Sequence, residues 1–415
     1  MGYWVNAIKL IEIIIFVDMK KIIWLAFILF QFLLVANAQL PVTDSDSLQQ
    51  ELEYWNIVLA KRPKDALAST NRGIIYLALG QFENSIADCS RAIKVKKKWV
   101  DAYAIRALAY TSQGRIEEAL ADANRAIELN PDHTSVYYTR GLIYIYMTNY
   151  TLARRDFLKS TRLNPTHIES YLLLASVYLR QKKMEPAITY LSKAIELDEY
   201  HAEAISMRGN ILFMLARYDK AFADLNKAIA LDSTNLLAHN GRGLIYKLRK
   251  DYGAALADFN KAVSLVTDST VQKKKEHYFA PVSKGIPVSG RQLKIIGSEF
   301  YEIYSNRGTT HFMLQAFDKA LADFNKAVEL APNSEIPYNN RAMLYFVTNE
   351  YDKALADTHR ALEISPNYMK PYIIRVMLYE QLKDNEKLCG NLSKAIQLGY
   401  TEGKEKYNEQ CLTNK

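Results

Sequence analysis

Cysteine is scarce in this chain. Three occur in 415 residues, and none follows the small-x-small pattern Ala36-Asn37-Ala38, which excludes a lipid anchor on a new N-terminal cysteine. Catalytic signatures are missing too: there is no nucleophile elbow, no phosphate-binding loop and no His-Glu-x-x-His zinc pattern. Gly241-Arg242-Gly243 has the outline of a dinucleotide loop, but no strand pattern precedes it. Neither an enzyme activity nor a cofactor is expected. Nor do the seven histidines make a metal site. His133, His167 and His201 recur every 34 residues, yet equivalent sites on packed helices lie about 8–10 Å apart, against ~2.0 Å for a zinc–nitrogen bond. No metal is expected, and these three read as loop residues.

One-signed charge is also absent from any extended face. The net charge is +8, but the lysines are scattered apart from Lys94, Lys96, Lys97 and Lys98 and the run Lys273 to Lys275. Both clusters read as solvated faces, so no nucleic-acid partner is expected. The one long apolar run lies near the N-terminus. Lys20 and Lys21 follow Met19, apolar residues extend from Ile22 to Val35, and Ala36-Asn37-Ala38 precedes Gln39; these are the three parts of a secretory leader. Residues 1–38 are expected to be that leader, with translation starting at Met1 or at Met19. An uncleaved anchor is the rival reading, because the run falls little short of the ~20 apolar residues that span a bilayer. The leader, with a bias toward Ile, Lys, Asn and Tyr, points to an exported protein in the periplasm of a Gram-negative bacterium. The alternative is a membrane-anchored protein facing the periplasm, with the membrane engaged only through the leader.

What fills the rest is one short unit written repeatedly. Copies of 34 residues start at Ala66, Val100, Thr134, Ile168, Ala202, Leu236, Tyr301, Glu335 and Met369. Position 8 is small (Gly73, Ala107, Gly141, Ala175, Gly209, Gly243, Gly308, Ala342), position 20 is usually Ala, and position 32 is often Pro (Pro131, Pro165, Pro332, Pro366) after an apolar run, where proline stops a helix. Positions 4, 8 and 11 share one helical stripe and positions 20, 24 and 27 another. Each copy is therefore expected to be a helix-turn-helix hairpin that must stack on its neighbours. Thirteen of the 28 tyrosines occupy positions 4 and 11 as packing residues; His311 substitutes at position 11.

Arginine at position 7 travels with aspartate at position 23: Arg72 with Asp88, Arg106 with Asp122, Arg140 with Asp156, Arg208 with Asp224, Arg242 with Asp258, Arg307 with Asp323, and Arg341 with Asp357. The fourth copy has Leu174 and Tyr190 instead. Joint presence and joint loss predict a bidentate salt bridge inside each hairpin. Near the C-terminus, Cys389 and Cys411 are almost equidistant from the turn at Gly399-Tyr400, which allows a disulfide between antiparallel helices; Cys89 reads as a buried thiol.

This pattern resembles the tetratricopeptide repeat (TPR). The resemblance implies an all-α, right-handed superhelical solenoid of helix-turn-helix hairpins that holds another protein or a peptide segment. The expected layout is a leader at 1–38, a linker and partial repeat helix at 39–65, six copies at 66–266, an inserted loop at 267–300, three copies at 301–400 and a capping helix at 401–415. Within the insertion, a strand or hairpin is expected around Ile286–Val288 and Leu293–Ile296. In the TPR family the first helix lines a concave surface, chiefly through positions 2, 5, 9, 12 and 13. Carried onto this chain, the groove comprises Tyr138, Leu142 and Tyr146 in the third copy, and Leu172, Ser176 and Arg180 in the fourth. Asn210, Phe213 and Met214 follow in the fifth, Leu244 and Leu248 in the sixth, Thr309 and Met313 in the seventh, and Met343 and Val347 in the eighth. This lining is apolar, and the Lys and Asn set with which some family members clamp acidic tails is missing.

Overall fold

Two apolar stripes per copy dictate two helices per copy, and helices are the only regular elements among the described residues. The computed structural model describes residues 45–267 and 300–412. The expected leader, Lys273–Lys275 and the hairpin at 286–296 lie outside them. The chain divides into two compact units, Met1–Ile57 and Val58–Lys415. Helix α1, Ser45–Lys61, crosses the division; its portion in the first unit buries Leu48 and Leu52 and exposes Tyr54.

Nine hairpins follow among the described residues of the second unit. Their first helices are α2 Ala66–Ala78, α4 Val100–Ser112, α6 Thr134–Tyr146, α8 Ile168–Arg180, α10 Ala202–Met214, α12 Leu236–Leu248, α14 Tyr301–Met313, α16 Glu335–Val347 and α18 Met369–Gln381. The second helices are α3 Phe82–Val95, α5 Ile116–Leu129, α7 Tyr150–Leu163, α9 Met184–Leu197, α11 Tyr218–Leu231, α13 Tyr252–Thr267, α15 Phe317–Leu330, α17 Tyr351–Ile364 and α19 Asn385–Gln397. Each helix packs on its partner, and each second helix packs on the first helix of the next copy, which makes the array a solenoid. The array keeps its register across residues 268–299. There α13 packs on α14, and Ala262, Val263 and Val266 share a core with Ile303 and Tyr304.

Each hairpin turns through a left-handed residue at position 15. Glycine fills it in Gly80 and Gly114, but seven later copies hold a non-glycine residue there, from Thr148 (φ 57°) to Lys383 (φ 55°). That conformation costs an L-residue roughly 1–2 kcal/mol. The turn offsets it by closing the helix end: Asn149 N–H donates to the Tyr144 carbonyl at 2.8 Å and Thr148 N–H to the Ile145 carbonyl at 2.8 Å, satisfying carbonyls that would otherwise be orphaned.

Small residues bring the two helices together. Ala153, Ala187, Ala221, Ala255, Ala320 and Ala354, all at position 20, are fully buried. Where position 24 is phenylalanine, position 8 is glycine: a Cβ on Gly243 would stand 2.7 Å from the ring of Phe259, which is itself fully buried. Gly243→Ala should therefore lose about 1–3 kcal/mol through overpacking, despite a helix-propensity gain of up to ~1 kcal/mol. Adding Phe259→Leu, which copies the Ala175–Leu191 pair of the fourth hairpin, should restore most of it. Urea unfolding of the single and double variants checks this.

At the C-terminus, α20 (Gly403–Tyr407) runs into a π segment, Asn408–Leu412. The expected capping helix is thus a short α segment continued with wider winding. Two tethers constrain it: a disulfide joins Cys389 and Cys411 with Cα atoms 5.6 Å apart, and Lys406 Nζ meets Glu380 at 2.6 Å. Tyr400 and Tyr407 cover Leu388 and Leu392 beneath, which shields the core of the last layer where no further hairpin stacks.

Candidate functional site

First helices of successive copies pack side by side, α10 on α12, α12 on α14 and α14 on α16. Position 13 is the last residue of each, and it is there that the first-helix face is open. Met214, Leu248, Met313 and Val347 are 53%, 52%, 54% and 41% exposed, forming a row across four layers. Leu314, beside Met313, is exposed as well. Tyr146 holds the equivalent place in the third copy and is half-buried, and the exposed Arg180 interrupts the row in the fourth.

The other expected groove residues are less open. Leu142 and Leu172, each 5% exposed, belong to the core: Leu142 packs with Phe157 and Leu173, and Leu172 with Leu191 and Ala204. Both stand mid-helix, where neighbouring helices on either side exclude solvent. Tyr138 wedges edge-on between Phe157 and His167, and burial raises its phenol well above the ordinary tyrosine range. Phe213 leans on Tyr218 across its own turn, 5.6 Å between ring centroids, and Phe312–Phe317 and Phe346–Tyr351 repeat the pairing. Polar members turn toward backbone: Ser176 Oγ donates to the Leu172 carbonyl, Thr309 Oγ1 to that of Ser305, and Asn210 Nδ2 to that of Ser206. Leu244 and Met343 are half-buried. Lys247, between Leu244 and Leu248 in sequence, has its ammonium lowered below the usual lysine range by burial.

Behind this face runs a polar ladder. All seven Arg–Asp pairs make two parallel bonds, Nε to Oδ2 and Nη2 to Oδ1, at 2.6–2.9 Å. The hydrogen bond to Asp224 raises the Arg208 guanidinium, against the opposing effect of burial. A third member escaped the sequence reading. Arginine Nη1 reaches back to position 25 of the preceding copy: Arg106 to Ser90, Arg140 to Asn124, Arg208 to Ser192, Arg242 to Asn226, Arg307 to Asn260 and Arg341 to Asn325. In the fourth layer all three members are apolar or aromatic, and Leu158, Leu174 and Tyr190 share one core. The ninth copy keeps Arg375 without an aspartate, and its guanidinium turns to Thr358 and His359 of the copy before.

The sixth layer adds His239, whose ring nitrogens face Asp258 Oδ1 at 2.9 Å and the Ser233 carbonyl at 3.2 Å. Burial pushes the Asp258 carboxyl up, but the bonds from Arg242 and His239 outweigh it and hold the carboxyl below its usual range. The second contact repeats what tyrosine does at position 4, as in Tyr137 to the Pro131 carbonyl and Tyr171 to that of Pro165.

The eight family matches tile most of the described array. Sequence models described as Tetratricopeptide repeat match residues 52–99, 100–133, 134–167, 168–201, 237–265, 301–334 and 336–368, and one described as TPR repeat matches 209–248. Together they cover more than half of the chain. The chain belongs to the tetratricopeptide-repeat family. Among solved structures, a chain of the APC/C hetero-tetramer Cut9-Hcn1 is similar at a TM-score of 0.55 and 18% identity, over 80% of this chain and 59% of that one. This TPR chain therefore spans less than two thirds of that relative, and the likeness is one of fold. A tetratricopeptide repeat protein from Parabacteroides merdae ATCC 43184 matches at 25% identity and a TM-score of 0.41, over 57% of this chain and 93% of that one. YrrB, a TPR protein with an unusual peptide-binding site, matches at 24% and 0.37, over 46% and 97%. No curated protein matches the chain. TPR arrays are protein-interaction scaffolds, and this one has the open helix face that such a scaffold needs.

Two of the recurring histidines, His167 and His201, are structural in this TPR array. His167 Nδ1 accepts from Ser170 N–H and His201 Nδ1 from Ala204 N–H, capping α8 and α10. Among the described residues no group of three or more His, Cys, Asp or Glu is placed to hold a metal. Burial lowers both imidazoles below the ordinary 6.5, against the pull of Glu169 and, for His201, Asp198. The unfolded chain therefore binds more protons than the folded one as acid is added, so the caps contribute fully above about pH 6.5 and are lost as pH falls through the depressed folded values. The variant His167→Asn/His201→Asn keeps a capping acceptor and should flatten the fall in thermal midpoint below that pH. Cys89 is the remaining candidate for chemistry, and burial pushes its thiol up to about 12; the folded protein should leave it unmodified by a thiol reagent that labels it after unfolding.

Proposed function

We propose that this protein is a non-catalytic scaffold that holds an apolar segment of another protein along the first-helix face of its fifth to eighth repeats. The observation that carries the reading is the row of Met214, Leu248, Met313 and Val347, four large apolar side chains left open in consecutive layers. Helix spacings of about 8–10 Å make such a row roughly 25–30 Å long, and a segment extended as a polyproline II helix, with three residues per turn and ~3.1 Å per residue, would set every third side chain on an anchor. Methionine at two of the four places suits a surface that adapts to varied apolar side chains.

The setting we propose is outside the cytoplasm, with the leader removed after Ala38. The disulfide between Cys389 and Cys411 supports this, because such bonds persist in oxidising compartments. The alternative is an assembly factor tethered by an uncleaved leader, favoured by the length of the Ile22–Val35 run. Fractionation with N-terminal sequencing separates the two. Affinity capture with the native chain and with Met214→Glu/Leu248→Glu/Met313→Glu tests the main reading. Loss of a captured protein, at unchanged helix content and thermal midpoint, is expected; unaltered capture would remove the row from the account.

A further inference from the structure

A second surface, separate from the apolar row, is carried by two loops at the start of the array. Lys61 ends α1 and Arg62 and Lys64 lie in the loop after it, while Lys94 stands in the last turn of α3 and Lys96, Lys97 and Lys98 lie in the loop after that. The two loops are neighbours. Helices α2 and α4, which they lead into, pack side by side, and Trp99 Nε1 at the end of the second loop donates to Thr70 Oγ1 of α2 at 2.9 Å. Every one of the seven cations is exposed. Local neutralisation is slight: Arg62 lies 3.8 Å from Asp65, whose Oδ1 is already engaged in capping α2, and Lys96 rests over the Trp99 ring, 4.5 Å from its centroid. Two equivalent places downstream have the opposite sign, with Glu128 and Asp132 at the end of α5 and just beyond it, and Glu196, Asp198 and Glu199 at the end of α9 and just beyond it.

We infer that these two loops form a docking surface for anionic lipid head groups, so that the start of the array lies against a negatively charged membrane. Composition selects a lipid surface over an acidic protein. Six of the seven cations are lysine, which is depleted in protein–protein interfaces, where arginine and aromatic residues are enriched. Lysine acts as a hydrated point charge without the planar fork that reads a fixed carboxylate, and a smeared anionic field needs no such fork. Polybasic clusters of this size bind anionic membranes, each cation strengthening attachment by about fivefold, within a Debye length of the surface. Val95, exposed amid the lysines, adds an apolar side chain able to enter the interface. The surface does not use the apolar row, so a scaffold held this way keeps its protein-binding face free.

Flotation of the full chain with vesicles tests this, using phosphatidylcholine alone and phosphatidylcholine mixed with phosphatidylglycerol. The leader's apolar run would bind both kinds and its Lys20 and Lys21 are the same in every variant, so the readout is the ratio between the vesicles compared across variants. The expected result is a preference for the anionic vesicles that collapses at high salt and falls by at least about a hundredfold in Lys96→Glu/Lys97→Glu/Lys98→Glu, the loss of three cations at about fivefold each before any repulsion from the new carboxylates. The variant Lys220→Glu/Lys227→Glu/Lys261→Glu carries the same change in net charge on exposed lysines elsewhere and should keep the preference. Equal flotation with both vesicles, equal loss in the two variants, or displacement of the native chain from anionic vesicles by soluble polyglutamate would overturn the inference, the last by assigning the loops to an acidic polypeptide.

Discussion

Replacing Asp258 with alanine is expected to destabilise the array by about 3–5 kcal/mol, the usual cost of removing one partner from a buried ion pair. Asp258 is buried, receives two bonds from Arg242 and one from His239, and its loss leaves the Arg242 guanidinium without its carboxylate and His239 Nδ1 without its partner. The cost should not repeat when a whole layer is exchanged. In the fourth layer, Leu158, Leu174 and Tyr190 replace the polar trio, and fully apolar replacements of buried pairs are often neutral. Ser192→Leu/Arg208→Leu/Asp224→Tyr, which writes that solution into the fifth layer, should therefore cost much less than Asp224→Ala alone. A double-mutant cycle between Arg242 and Asp258 in urea unfolding should show a coupling of several kcal/mol; additive effects would mean that the ladder does not hold the layers.

Breaking the disulfide is the second large effect. Cys389 and Cys411 are 22 residues apart in sequence, and closing a loop of that size is worth about 3 kcal/mol in the chain-entropy account. In a solenoid that stabilisation is local, because each hairpin contacts only its neighbours. Cys411→Ser should therefore release α20 and the π segment, expose Leu388 and Leu392, and raise hydrogen exchange across 385–412 while exchange in the central copies stays as it was. Uniform loss of protection along the chain would show that the array unfolds as one unit.

How much of this was written in the sequence depends on where the partner of each residue lies. Arg242 and Asp258 are 16 residues apart within one copy, and their joint absence at Leu174 and Tyr190 exposes the pairing. Asn226 lies 16 residues before Arg242, in the preceding copy, so its part in the same trio is invisible when copies are read one at a time; Leu158 beside Leu174 was the available signal. The left-handed turns were illegible because Thr148, Lys182 and Ala216 hold a conformation that glycine marks only at Gly80 and Gly114. His167 and His201 look like ordinary loop residues until the helix ends they cap are in place. Periodicity located the first-helix face, but it could not separate Leu142 and Leu172, enclosed by flanking helices, from Met214 and Leu248, which escape burial because they end their helices.

The apolar row is tested most directly by site-specific photo-crosslinking in cells that produce the protein. A photoreactive residue at Leu248, central in the row, should yield one discrete crosslinked protein, with the same species captured from Met214 and Met313. The same residue at Lys261, exposed on the second helix of the sixth hairpin, should yield none. Equal capture from Lys261, or no adduct from any of the three row positions, would contradict the account.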